Sequence, residues 1–335
     1  MAKRILIVFL YIIVHNDIFS QVNFNFESIP NGQEDTLRFE VGSCAMRMKP
    51  FDIQRFRIFK KMENEKAHFN LWLGDHVYML LPHDYATKEN MIAKYNWQRS
   101  EPRLKSFLAS TPQYAVWDDH DYGPNNADSF FVNKKLSLEV FKQMWNNPSY
   151  GDREEGVYFN MKHADAEFFM LDGRTFYVKG KQLLGNKQLN WLKESLKKSN
   201  ATFKFLCFNI QVICDGGYEN FRKFKTEYDD FIAFLEKENI KGVVFFSGDV
   251  HYAEISKLQR KNTYPLYDFT FSAFTSFTHK GKPNLNAVEG SRYPKNNYGL
   301  VTISGKKGQR VCHFECKSRD GKPVWKYNIS EEMLR

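Results

Sequence analysis

Short, largely apolar runs rich in β-branched and aromatic residues recur along the chain, and between them apolar positions return at helical spacing. The runs predict strands over 37–41, 69–73, 114–117, 156–160, 166–171, 203–208 and 243–246. Phe269, Phe271 and Ala273 then alternate with Thr and Ser, and strands over 300–303, 310–316 and 324–328 close the chain. Gly305-Lys306-Lys307-Gly308 and Arg319-Asp320-Gly321-Lys322 are suited to the turns between the last three. Phe51, Phe56, Phe59 and Met62 line one face of an amphipathic helix, and 85–108 and 135–145 also read as helical. Leu189, Leu192 and Leu196 mark a helix over 187–198. Thr226-x-x-Asp229 has the form of a capping box opening a helix that carries Phe231, Phe234 and Leu235 and stops at Gly242.

Strands alternate with helices through most of the chain, with no internal repeat, low-complexity tract or Pro/Ser-rich linker. That order predicts one α/β domain over 21–335. A hydrophobic content of 42% across 335 residues allows a large core and argues against global disorder. The formal charge of +9 favours anionic partners, although Lys and Arg are scattered and no basic-aromatic stripe of a nucleic-acid binder is present.

Lys3 and Arg4, an apolar run over 5–14 and a small residue at Ser20 have the layout of a secretory signal peptide over 1–20. The run is short for a membrane span, so the expectation is cleavage near Ser20 and a periplasmic or secreted mature chain without stable membrane insertion. An exported chain with five cysteines leaves at least one thiol unpaired. Cys312 and Cys316 are too far apart along one strand to bridge. Cys207 could reach Cys214 across a turn, and Cys44 is expected to stay free.

The chemistry is concentrated at strand ends. Cys44, Asp75 with Tyr78, the run Asp118-Asp119-His120-Asp121, and Asp249 with His251 each follow a predicted strand at its C-terminal end, where open α/β sheets build their sites. A plainer alternative exists for each one alone: a capped turn at Asp249, a small buried hydrophobe at Cys44, a half-buried aromatic at Tyr78. Four repetitions favour a common site, and thiol, carboxylate, imidazole and phenol together point to metal. Crowded carboxylates without cations would be forced towards protonation, whereas two ions sharing a bridging carboxylate would relieve that conflict and support displacement at phosphorus.

The ordered segments GSCA, LGDHVY, WDDHDYGPNN, LDGRT, LLGNKQLNWL and SGDVH resemble the PhoD-like branch of the calcineurin-like metallophosphoesterases, over nearly the whole chain after about residue 38. The resemblance implies a four-layer sandwich, with two packed mixed β-sheets flanked by helices. It implies hydrolysis of phosphomonoesters or phosphodiesters by a metal-bound hydroxide, with Cys44, Asp75, Tyr78, Asp119, Asp249 and His251 as metal ligands. Asp75 would bridge, and His120 would contact the phosphoryl group and protonate the leaving oxygen. Arg174 would clamp phosphate oxygens, with Asn125 or Asn126 at substrate or at a vacant coordination position. The donor set suggests iron plus calcium, with zinc or manganese as alternatives.

No imidazole follows the strand at 203–208, where Asn209-Ile210-Gln211 stands instead. Asp172 and Arg174 could equally form a structural ion pair. His68, His83, His163, His279 and His313 lack partner motifs and read as structural or surface residues, and Asp84 and Glu254 as solvated. Two rivals remain: a non-catalytic surface protein of the same fold binding anionic polymer, and a glycosidase using Asp119 or Asp121 without metal. A phosphate-ester substrate is expected, with no obligate protein partner and nucleic acid only as one conceivable substrate alongside phospholipid and teichoic-acid-like polymer.

Overall fold

The structure is a computed structural model that describes residues 36–152, 155–217 and 219–335. The expected signal peptide lies outside the described residues. Bulky, apolar-rich runs form β1 (Leu37–Gly42), β2 (Phe69–Leu73) and β3 (Gln113–Val116), with α1 (Asp52–Arg55), α2 (Arg57–Asn64), α3 (Lys88–Arg99) and α4 (Pro102–Ser110) between them. There follow α5 (Asp119–Tyr122), α6 (Lys134–Met144), β4 (Phe159–His163), β5 (Ala166–Met170) and α7 (Gly185–Lys198). The chain continues through β6 (Phe203–Cys207), α8 (Lys225–Lys237), β7 (Val243–Ser247), β8 (Glu254–Leu258) and β9 (Leu266–Thr270). It closes with β10 (Asn297–Ser304), β11 (Val311–Ser318) and β12 (Pro323–Ser330).

Two six-stranded mixed sheets result, ordered β12-β11-β10-β1-β2-β3 and β4-β5-β6-β7-β9-β8. In the first, β1, β2 and β3 run parallel; in the second, β5, β6, β7 and β9 do. The sheets meet through a layer of phenylalanines. The Phe39 ring lies 5.0 Å from Phe168, 5.5 Å from Phe205 and 5.9 Å from Phe246, all edge-on, and Phe269 stacks on Phe314 at 3.8 Å. Strand alternation sends Trp72 to the opposite face of β2, against Phe59 of α2 and Phe107 of α4. On the second sheet, α7 buries Leu189, Leu192 and Leu196, and α8 buries Phe231 and Leu235. The expected four-layer arrangement is the one observed.

Local departures from expectation have identifiable causes. The helical stretch 85–108 is two helices, because Glu101 accepts hydrogen bonds from the N–H groups of Arg103 and Leu104 and Pro102 starts a new helix. The strand expected over 156–160 begins at Phe159 instead, since Val157 N–H is taken by the Asp172 carboxylate. No capping box opens α8, which starts at Lys225; Glu227 instead accepts from Leu183, Leu184 and Gly185 N–H at 2.6–3.1 Å and caps the start of α7. Strand β8 was not predicted. Its Glu254 is buried rather than solvated, held by Arg292 at 2.7 Å and Asn284 at 2.8 Å, and Asp84 is likewise buried and paired with Lys94 at 3.0 Å. All five cysteines are buried free thiols, Cys207 and Cys214 included.

Phe39 of the first sheet packs edge-on against three rings of the second, Phe168, Phe205 and Phe246. Phe39→Ala is therefore expected to cost about 3–5 kcal/mol in a denaturant unfolding series, with the site loops losing their frame only on global unfolding.

Candidate metal centre

The parallel strands of both sheets point their C-terminal ends at one place, and close backbone approaches bring the loops together there. A side chain on Gly248 would meet the Leu73 carbonyl at 2.8 Å and Ser43 at 2.9 Å, so the turn after β7 reaches the ends of β1 and β2 only as glycine. Gly74, at φ +100°, leaves room for Asp118 in the same way. Among the described residues, eight that are not glycine have positive φ, and five of these are Cys44, Asp75, Asn126, Asp249 and His251. Left-handed backbone costs on the order of 1–3 kcal/mol per residue and concentrates at functional sites. Here it turns successive strand ends back towards a common point.

Two donor triads form there. Cys44, Asp75 and His251 bring one ligand atom each within 4.8 Å of one another, and Asp75, Asp119 and His120 do the same. Asp75 belongs to both. Cys44 Sγ lies 3.6 Å from Asp75 Oδ2, and Tyr78 Oη lies 3.3 Å from His251 Nε2, which adds the phenol to the first triad. The Tyr78 ring packs 4.4 Å from the His120 ring, between the two groups of donors. Asp249 belongs to neither triad, although its charge is felt by both Cys44 and Asp75.

The electrostatics of the protein alone are unfavourable. Burial, then Asp119, Asp118, Asp121 and Asp249, push Asp75 well above the usual carboxylate range. Burial, Asp118, Glu219 and Asp119 raise Asp249, and burial with Asp75 and Asp249 raises the Cys44 thiol. Asp118 is pushed up to about 7 by burial despite Arg174. Burial acts most strongly on Asp119 too, but Arg174, His120 and two backbone N–H groups outweigh it and hold that carboxyl below its ordinary value. Burial, with His279 and His120, lowers His251 to about 4, leaving the neutral imidazole that metal binding needs. Asp75 Oδ1, Asp118 Oδ2 and His120 Nδ1 are buried without a hydrogen-bond partner. Orphaned acceptors, crowded carboxylates and a thiol facing a phenol and an imidazole fit metal ions as the missing partner.

Several residues here act by holding others. Asp121 accepts from Asp75 N–H at 2.6 Å, His76 N–H at 2.9 Å, Val77 N–H at 3.1 Å and Asp118 N–H at 3.1 Å, and also meets His76 Nδ1. It fastens the Asp75 loop to the Asp118 loop, and its oxygens are fully occupied by that. Arg174, expected as a phosphate clamp, is buried with Nε on Asp118 at 2.5 Å and Nη2 on Glu219 at 2.9 Å. It pairs with Asp118 rather than with Asp172, whose carboxylate is taken by Trp117, Arg174 N–H, Thr175 and Val157. Asn209 Nδ2 also donates to Asp118 at 2.6 Å. Asn126 contributes its backbone N–H to Asp119 at 2.6 Å, while the Asn125 and Asn126 side chains are exposed at the rim. Glu219 and His279, whose ring lies 6.1 Å from that of His251, carried no motif; only long-range packing brings them in.

The PhoD-like phosphatase family model matches residues 39–316, which include every donor named above. The chain belongs to the PhoD-like phosphatase family. Alkaline phosphatase D of Bacillus subtilis (strain 168) is 21% identical to this PhoD-like chain, over 84% of the chain and 58% of the relative's own length. The chain thus spans somewhat over half of that curated relative. Among solved structures, PhoD superposes with a TM-score of 0.73 at 18% identity, covering 91% of this chain and 72% of that one. Purple acid phosphatase PPD1 from yellow lupin (Lupinus luteus) superposes at 0.63 and 12% identity, covering 89% and 54%. At these identities the superpositions establish the fold, two mixed sheets flanked by helices.

Asp121→Asn replaces one oxygen by an amide that faces N–H donors. It is expected to cost about 1–3 kcal/mol in chemical unfolding, and to lower bound metal measured by elemental analysis without removing any donor of either triad.

Proposed function

We propose that this PhoD-like chain is an exported, metal-dependent phosphoesterase acting on phosphomonoesters or phosphodiesters. The observation that carries the reading is the pair of donor triads sharing the Asp75 carboxylate. The thiol, phenol and imidazole of Cys44, Tyr78 and His251 lie on one side and favour iron; the other triad pairs Asp119 with His120 beside the charges of Asp118 and Asp249, and that surplus of carboxylates favours a hard ion such as calcium. Metal ions held there would supply Lewis-acid stabilisation and a nucleophile available at neutral pH.

The chain's own residues do the rest. Asp75 holds the two sides in one register, and Asp121 holds Asp75. Arg174 and Asn209 pin the Asp118 carboxylate from the second sheet and so fix the distance between the two halves of the site. His120, half-buried with its ring against Tyr78, would bind a phosphoryl oxygen and give a proton to the leaving group, a role supported by its membership of the Asp75–Asp119 triad. Arg174, engaged by two carboxylates, serves to position Asp118 rather than as a direct clamp. Periplasmic or secreted action rests on the signal-like N-terminus; no helix among the described residues is long and apolar enough to cross a membrane.

Purified protein assayed on aryl phosphate mono- and diesters should lose activity to a chelator and regain it with metal. Asp75→Asn should reduce kcat by at least about a hundredfold. Chelator-resistant hydrolysis that Asp75→Asn leaves unchanged would refute the reading.

A further inference from the structure

A band of exposed apolar side chains borders the metal-ligand loops: Phe51, Ile53, Leu80, Leu81, Trp97 and Phe277, each 39–65% exposed. They derive from three loops and two helices, yet contacts link them into one strip. Leu80 and Leu81 N–H donate to Asp84, and Asp84 pairs with Lys94 at 3.0 Å. Lys94 and Arg47 both lie over the Trp97 ring, at 5.7 and 4.7 Å. Arg47 pairs with Asp52, next to Phe51 and Ile53, and the Arg55 guanidinium lies over both Phe51 and Phe277, at 5.9 and 4.6 Å. Single exposed apolar residues are ordinary; a contiguous strip of them marks an interaction surface.

The charges in the strip say what kind. Both of its carboxylates, Asp52 and Asp84, are already neutralised by Arg47 and Lys94. Arg55 and the exposed Lys49 remain in excess, Arg319 adds a further cation beside Arg55, whose charge is disfavoured first by burial and then by Arg319, and the whole chain carries +9. Aromatic and aliphatic side chains interleaved with cations that lie on the rings are the composition that seats in a lipid interface: apolar groups enter the acyl boundary while cations stay at phosphate level.

We propose that this strip docks the protein on an anionic lipid surface. The mouth of the site is its immediate neighbour. Met46 packs on Cys44, Tyr78 and Ala273, Arg55 donates to the Thr275 carbonyl, and Thr275 and Ser276 N–H donate to Cys44. Docking would therefore present the donor triads to phosphate esters in the same surface, a consequence that rests on the phosphoesterase reading; docking itself does not.

Co-sedimentation of the full chain with phosphatidylglycerol/phosphatidylcholine vesicles, against phosphatidylcholine alone, tests it. The expected result is salt-sensitive binding to the anionic vesicles only, about tenfold or more weaker in Phe51→Ser/Ile53→Ser/Leu81→Ser, with aryl phosphate hydrolysis in solution unchanged. Leu81→Ser alone serves should the triple variant fail to fold, with a smaller loss of the same sign. The Asp75→Asn variant should bind vesicles like the parent, so the two readings fail separately. No sedimentation of the parent, equal sedimentation of the variants, or a strip that instead mediates self-association abolished by the same substitutions would overturn the proposal.

Discussion

Buried negative charge that the protein does not itself neutralise governs the architecture of this site. Asp75, Asp118 and Asp119 are buried together with a thiol and a phenol, half-buried Asp249 stands beside them, and Arg174 is the cation that the protein places against them there. Folding such a group without counter-ions is costly, since each ionised carboxylate raises the pKa of the next. Two consequences follow. The loops must be fixed independently of the ions, and the fixing must not consume the oxygens that the ions need.

Asp121 meets both requirements. Placed by the short helix α5, it receives N–H groups from residues 75–77 and from Asp118, leaving Asp75 Oδ1 and Asp118 Oδ2 free. Across the sheet interface, Arg174 and Asn209 play a corresponding part by gripping the other oxygen of Asp118. Left-handed backbone at Cys44, Asp75, Asp249 and His251 is the strain that results, and the phenylalanine layer behind the loops is the rigid frame able to sustain it. The PhoD-like site thus joins loops from both sheets, with Asp121 spent on backbone N–H groups and Asp119 standing in a donor triad, close in sequence but separate in duty.

Much of this was legible beforehand, and the limits are physical. A buried strand announces itself by its largely apolar run, and a loop-borne donor after it announces a strand end; hence the sheets and the places of Cys44, Asp75, Asp119 and His251 could be read directly. What spacing does not carry is the partner of a side chain far away in sequence. Asp121 and Asp119 look alike in WDDHD, and only the fold shows that one is spent on backbone amides 44 to 46 residues upstream. Arg174 looked like an anion clamp because its partners, Asp118 and Glu219, are 56 and 45 residues distant. Strand β8 escaped notice because its Glu254 and Lys257 resemble a surface, although burial against Arg292 gives Glu254 a structural place.

The central claim is that one carboxylate, Asp75, holds two ions. Anomalous diffraction from crystals of the metal-loaded protein tests it most directly. Two peaks about 3.5–4 Å apart, one beside Cys44, Tyr78 and His251 and the other beside Asp119, with Asp75 between them, are the predicted result. A single peak, or metal bound away from Asp75, would contradict the account.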